Sequence, residues 1–333
     1  MAFPDDWSYR KSITLSRASG AVTNYQMKLL VGESSGAAGE NVDCGGLCKT
    51  DFSDLRFTAA DGTTLLDYWI ETVSGTTPNQ LATVWIEFDS IGTGATTFYM
   101  YYGNAAATAV SSGVNTFLLF EDFEWGSNGD NLNTSGGSVA WTAAQGTAVI
   151  STEQKFGGTR SAKFGGAATY PIVTAAYSLA DNIAIAIRFY KETLTENAPN
   201  LFLSDGTEVA SVYVLATEAL QANNGAIGAS CSADTWQKLE IRDINKSGNV
   251  FKVSLNDGAA IATNCVLTST AANFLRLLNA TTISGRDAWV DNVIVRHQRI
   301  TEPAWGSWGT QEDLGGAVMN SQFFVMLLAG GGR

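Results

Sequence analysis

The chain has 333 residues, with 32 acidic against 20 basic side chains and a formal charge of −12. That length is ample for two domains with real cores, and the negative balance argues against nucleic acid and anionic lipid surfaces as partners. With 34 glycines, 11% aromatic and only 16% charged residues, the composition suits short strands joined by turns. No run of about 18 apolar residues exists, so no transmembrane helix and no membrane insertion are expected. The opening MAFPDDWSYRKSITL has acids where a signal peptide carries bases and lacks an apolar centre, so export by the ordinary secretory route is not expected.

From Trp7 to Asn104 the pattern is strand after strand. SITLS and YQMKLLV alternate, as does ATVWIEFDSI. DLRFTAADGTTLLDYWIE reads as strand, Asp-Gly turn, strand, a strong hairpin signal. TTFYMYYGN, rich in β-branched and aromatic residues, closes the set. These segments predict a small β-sandwich over residues 1–112.

The same residues resemble a known family. WSYRKSITL, NYQMKLLV, DLRFTAADGTTLLDYWIE, TVWIEFDSI and FYMYYGN fall in the order seen in the domain of unknown function 2341. The resemblance covers about the first third of the chain. It implies a β-rich module of archaeal and bacterial surface proteins and of phage proteins, and it implies no activity. In many relatives a lectin-like jelly roll follows, opening with a D-D-F segment; here that segment reads Glu121-Asp122-Phe123.

Residues 105–115 are small and polar, a linker or loose edge. Phe117–Leu132, FLLFEDFEWGSNGDNL, is then the expected first strand of a second domain spanning 113–300. Alternation would place Leu118, Phe120, Asp122 and Glu124 on one face and Leu119, Glu121, Phe123 and Trp125 on the other. Its expected neighbour is the last strand, AWVDNVIV (288–295). The order TWQKLEI, NVFKVSLNDG, AWVDNVIV is similar to concanavalin A-like (laminin-G-like) jelly rolls. The expected fold class is therefore all-β, an N-terminal β-sandwich followed by a concanavalin A-like jelly-roll sandwich. Residues 301–333 are read as a C-terminal extension.

Three constellations bear on function. Glu121 and Glu124 raise glycoside hydrolysis, but alternation sets Glu121 opposite Asp122 and Glu124, and two such groups must flank one bond. Asp122 and Glu124, with Asp291 across on the last strand, offer hard oxygens for a structural calcium ion; loop capping by the same acids stands beside that reading. Tryptophans 125, 141, 236, 289, 305 and 308 are candidates for stacking on sugars. Trp236 and Trp289 lie in strand patterns, which leaves Trp305 and Trp308, three apart in a Gly-rich segment, as the candidate glycan-binding pair. His297 is the one histidine, so no nucleophile triad is indicated. Cys44 and Cys48 share one loop, and Cys231 and Cys265 lie far apart; disulfides and free thiols are both open.

The last stretch places Phe323, Phe324, Val325, Met326, Leu327 and Leu328 in a row between glycines. It is too short to span a bilayer and is read as a subunit-docking tail, by strand addition or groove filling. Together these features point to a non-enzymatic virion structural protein of a bacteriophage: a capsid decoration, head fibre or tail-associated protein. It would be made in the host cytoplasm, sit on the particle surface as a homo-oligomer among other virion subunits, and bind cell-surface glycans. The alternative is a carbohydrate-binding adhesin of a microbial surface, and the third reading is a glycoside hydrolase.

Overall fold

The computed structural model describes residues 3–315, apart from Ser19, Ala37, Ala38, Ser135, Asn224 and residues 193–198. In chain order come β1 (Tyr9–Arg17), β2 (Val22–Gly32), β3 (Val42–Asp43), β4 (Arg56–Thr58), β5 (Leu65–Leu66), β6 (Tyr68–Ser74), β7 (Leu81–Ile91) and β8 (Gly94–Tyr102). One helical turn, α1 (Gly113–Thr116), precedes β9 (Leu119–Glu121), β10 (Thr142–Gln145), β11 (Val149–Ser151), β12 (Ser161–Phe164), β13 (Ile172–Ala176) and β14 (Ile183–Lys191). Then follow β15 (Asn200–Ser204), β16 (Glu208–Val214), β17 (Ala219–Ala222), β18 (Gly225–Ser230), β19 (Gln237–Asn245), β20 (Val250–Leu255) and β21 (Ala260–Val266). The last are β22 (Phe274–Leu278), β23 (Ala288–His297), β24 (Ala304–Trp308) and β25 (Glu312–Asp313). The all-β class expected from the pattern is what forms.

Two compact units result, one from the residues up to Ser112 plus the segment from Pro303, the other from Gly113–Glu302. In the first, a sheet ordered β24-β1-β8-β4-β5, with β25 also on β1, faces a sheet ordered β3-β2-β7-β6. Leu15 and Met100 from one sheet and Leu29, Val84 and Phe88 from the other share a single core. The hairpin read from the Asp-Gly signal is present: Phe57 pairs with Leu66, Gly62 takes φ 74°, and Asp61 Oδ1 accepts the amides of Thr63 and Thr64 at 2.9 Å each. Its second arm is shorter than the pattern predicts. The chain changes sheet at Asp67, so that β5 pairs β4 while Tyr68 onward pairs β7.

Of the segment read as an extension, the described residues 303–315 instead complete this first unit. Ile13 pairs with Trp308 and Leu15 with Trp305, which sets both rings over the open edge of the core. Polar neighbours hid this role in the sequence, although two large rings are the groups best able to cap an apolar edge.

In the second unit a seven-stranded sheet, β10-β13-β22-β15-β16-β17-β18, stacks on an eight-stranded one, β11-β12-β23-β14-β19-β20-β21, with β9 beside β23. Leu201, Leu203, Leu275 and Leu277 from the first sheet meet Ile185, Ile187, Leu239 and Val293 from the second. The expected neighbours do pair: Glu121 lies across from Val293 and Leu119 from Val295.

Candidate functional site

The acids at the start of the second unit do not follow the expected alternation. β9 ends at Glu121, and Phe123 takes φ 57°, a left-handed conformation that breaks the pleat before Asp122 and Glu124 can share a face. Glu121 is fully buried. Its Oε1 accepts the Phe123 amide at 2.9 Å and Trp125 Nε1 at 3.2 Å, and its Oε2 accepts the Val139 amide at 3.1 Å. Burial pushes this carboxyl up, and those donors pull it partly back. Asp122, also raised by burial, accepts the Glu124 amide at 3.2 Å.

Glu124 and Asp291 converge on one loop from two sides. Glu124 accepts the Thr159 amide (2.7 Å), the Thr159 hydroxyl (2.8 Å) and the Arg160 amide (2.8 Å). Asp291 Oδ2 accepts the amides of Phe156 (2.9 Å) and Gly157 (3.2 Å), and its Oδ1 accepts Asn292 N at 2.8 Å. Between them Gly158 sits at φ 53°, and a Cβ there would overlap the Glu124 carboxylate. Burial drives the Asp291 carboxyl up to about 7, and the negative charge of Glu124 adds to it, against the pull of the three amides.

This donor set does not fit calcium. The ion takes six to eight oxygens, whereas both oxygens of Glu124 and of Asp291, and one of Asp122, already accept N–H or O–H donors. Among the described residues no three His, Cys, Asp or Glu side chains converge for an ion. The arrangement is the loop-capping one. Glu121, the other acid raised for hydrolysis, is buried on three N–H donors.

The tryptophans are engaged in packing. Trp305 and Trp308 stack on each other with centroids 6.1 Å apart, and Trp305 Nε1 donates to Lys28 O at 3.0 Å. Both are partly buried against the first core. Trp141 stacks on Phe123. Trp289 is buried, edge-on to Tyr190, with Lys163 Nζ 5.2 Å from its centroid. Trp236 lies between Phe156 and Tyr190. Trp141 and Trp289 are buried, whereas Trp236, Trp305 and Trp308 keep partial exposure.

A different surface carries unpartnered chemistry: the face of the seven-stranded sheet turned away from the core. Since Leu201, Leu203, Val212, Val214, Leu275 and Leu277 point inward, period two turns Asn200, Phe202, Ser211, Tyr213 and Arg276 outward. The strand register lines them up. One row runs Thr142, Thr174, Arg276, Phe202, Ser211; the next runs Ile172, Leu278, Asn200, Tyr213, Gln221.

The Arg276 guanidinium lies over the Phe202 ring, 5.6 Å from its centroid. Arg276 Nε, Asn200 Oδ1 and Ser211 Oγ are buried with no hydrogen-bond partner. Asn200 is 8% exposed and Ser211 0%. Three adjacent strands span only about 10 Å, so these atoms lie within one small patch. Each desolvated, unpaired polar atom costs about 1–3 kcal/mol, and such groups are scarce in native folds. The sequence reading passed over this patch. Its signal was a single charge inside the apolar strand NFLRLLNA, with polar residues at alternate positions of NLFLS and ASVYVL.

The tail residues Phe323, Phe324, Val325, Met326, Leu327 and Leu328 lie outside the described residues. All four cysteines are free thiols. Cys44 is buried and hydrogen-bonded to Cys48, and burial holds its thiol well above the ordinary range.

Residues 51–144 match the family described as Domain of unknown function (DUF2341). The match starts in the first unit and runs past Ser112 as far as β10 of the second. No curated protein matches the chain. Similar solved structures include a carbohydrate esterase of the Shiga toxin-encoding bacteriophage phi24B, 15% identical, covering 48% of this chain and 90% of that one at a TM-score of 0.36. The botulinum neurotoxin serotype G binding domain is 12% identical over 55% of this chain and 48% of that one, at 0.34. A structure of carbohydrate-binding modules from the β-sandwich superfamily is 13% identical over 88% and 99%, at 0.27.

Proposed function

We propose that this is a non-enzymatic structural protein on the outside of a bacteriophage particle, a capsid decoration, head fibre or tail-associated subunit that binds glycans. The observation that carries the binding role is the outward face of the seven-stranded sheet. There the partly exposed side chains of Arg276, Tyr213 and Gln221 lie beside the buried Asn200, Phe202 and Ser211. Sugar hydroxyls both donate and accept, and the C–H faces of a sugar ring pack on aromatics, so a patch of this kind is matched to a saccharide. The acids that would serve hydrolysis are spent on loop amides, which favours binding over turnover. The virion setting rests on the resemblance of the first third to surface and phage modules.

A glycan array probed with the purified protein tests the binding role, and antibody labelling of purified particles tests the setting. Specific hits lost in Asn200→Ala are expected, with label on the particle surface. An array without hits would remove the binding role, and label confined to a cell surface would favour the adhesin alternative.

The tail belongs to the same proposal. Six consecutive large apolar side chains supply several kcal/mol if buried, at about 1.5–3 kcal/mol each, and would promote aggregation if left in water. We assign them to docking on another subunit. Deleting residues 317–333 should abolish assembly measured by light scattering, and normal assembly of the shortened protein would refute it.

A further inference from the structure

We infer that Cys44 and Cys48 are a redox pair, two thiols of the first unit that join as a disulfide when they meet a small-molecule disulfide such as oxidised glutathione. The loop brings them together. Cys44 O accepts the Leu47 amide at 3.0 Å, closing a turn on Gly45 and Gly46 at φ 61° and 77°, and the next residue, Cys48, returns to Cys44. The two side chains are hydrogen-bonded, with Cys44 the donor, because the contact favours its protonated form. Cys48 Sγ donates in turn to Glu33 O at 3.9 Å. The backbone is fastened beneath them: Cys44 N donates to Gly32 O at 2.9 Å and Gly46 N to Glu33 O at 2.8 Å. Passing from this contact to a bond of about 2 Å is a local adjustment of a loop already closed. A Cβ at Gly46 would meet no atom, so the turn has room to tighten.

The two thiols have different roles. Cys44 is 0% exposed, and burial first, then the Cys48 sulfur, holds its thiol well above the ordinary range. Cys48 is partly exposed and lines an open cavity of about 300 Å³ with Tyr9, Leu47, Lys49, Asp54 and Asn104. Access therefore makes Cys48 the attacking group and Cys44 the resolving one. The Cys48 thiolate attacks one sulfur of the oxidant, forming a mixed disulfide and releasing one glutathione thiolate. The Cys44 thiolate then attacks Cys48 Sγ and releases the second. Two electrons pass from the cysteines to glutathione, and the two thiol protons end on the departing thiolates.

Cys231 and Cys265 lie in the second unit, both buried, and burial raises each thiol to about 11. They should stay reduced while the fold holds and serve as internal controls. The inference does not rest on the glycan reading. Under the particle-surface reading, the pair stays reduced in the host cytoplasm and closes after release.

The test incubates the folded full chain with oxidised glutathione, then denatures and alkylates it and weighs the tryptic peptide 29–49, which holds both cysteines. A peptide lighter by two hydrogens and free of alkyl groups is expected, with Cys231 and Cys265 alkylated. Closing the loop should raise the melting temperature by about 5 °C, and a dithiol reductant should reverse the rise. Cys44→Ser should trap glutathione on Cys48, whereas Cys48→Ser should leave Cys44 unmodified. Melting curves report whether the variants fold, and the wild-type peptide decides the inference without them. Both cysteines alkylated in the wild type, or glutathione retained on Cys48 without a link to Cys44, would overturn the inference. A folded Cys44→Ser chain that takes no glutathione would overturn the assignment of Cys48 as the attacking thiol.

Discussion

Two polar clusters in the second unit differ in one respect that decides their roles. Around Glu124 and Asp291, amides or a hydroxyl meet the carboxylate oxygens, and the result is a fastened loop. On the outward face of the seven-stranded sheet, Asn200 and Ser211 are buried and Arg276 is half-buried, yet each keeps an atom without a partner. Acidic residues in a row drew attention in the sequence, but satisfied acids hold structure. Unsatisfied groups, which the fold stabilises less well than an apolar replacement would, are where a ligand has something to gain.

Breaking the first cluster should have the largest effect. Glu124→Ala strands two loop amides and a hydroxyl, so it should destabilise by about 2–4 kcal/mol, read from denaturant unfolding. Wild-type stability in that variant would mean the carboxylate is not a clamp and would reopen its chemical role.

The pH dependence comes next. The Asp291 carboxyl is raised to about 7 by burial and by Glu124, and Glu87 in the first unit is raised to about 7 by burial and by Asp67 and Asp89. A raised carboxyl contributes stability that is complete below its ordinary pKa and is lost as pH climbs through the folded value. The melting temperature should therefore fall between pH 5 and pH 8. Asp291→Asn turns an amide N–H toward loop donors and should cost stability at pH 5, but it should flatten the slope. A slope unchanged in that variant would show that Asp291 does not titrate in this range.

Smaller effects distinguish the second cluster. Ser211→Ala removes an unpaired hydroxyl and should change stability by less than about 1 kcal/mol, in either direction, while weakening glycan binding. A large loss of stability would show that this hydroxyl has a structural partner and would erase the contrast. The smallest effect is expected from a chelator. With the carboxylate oxygens on N–H donors, the melting curve should not move, and a drop would restore calcium at Asp122, Glu124 and Asp291.

Much of the fold was legible because β-structure writes a local code. Period-two alternation in ATVWIEFDSI and AWVDNVIV marks β7 and β23, and Asp61-Gly62 marks a turn through the φ that glycine permits and the amides that aspartate accepts. What alternation could not show was where it stops. Phe123 in a left-handed conformation ended β9 early and dissolved the expected pairing of Asp122 with Glu124. Asp67 sent one apparent strand into two sheets. Trp305 and Trp308 looked exposed among glycines, yet pair with a strand some 300 residues earlier.

The sequence by itself determined the all-β class, the strand faces and the charge, because these depend on neighbours two or three positions away and on composition. Only the tertiary structure decided which strands lie side by side. The order β22-β15-β16 brings Arg276, Asn200 and Ser211 together from segments more than sixty residues apart at the extremes. Strand order is set by how two whole faces bury their apolar side chains, a property of the assembled core that no local window contains.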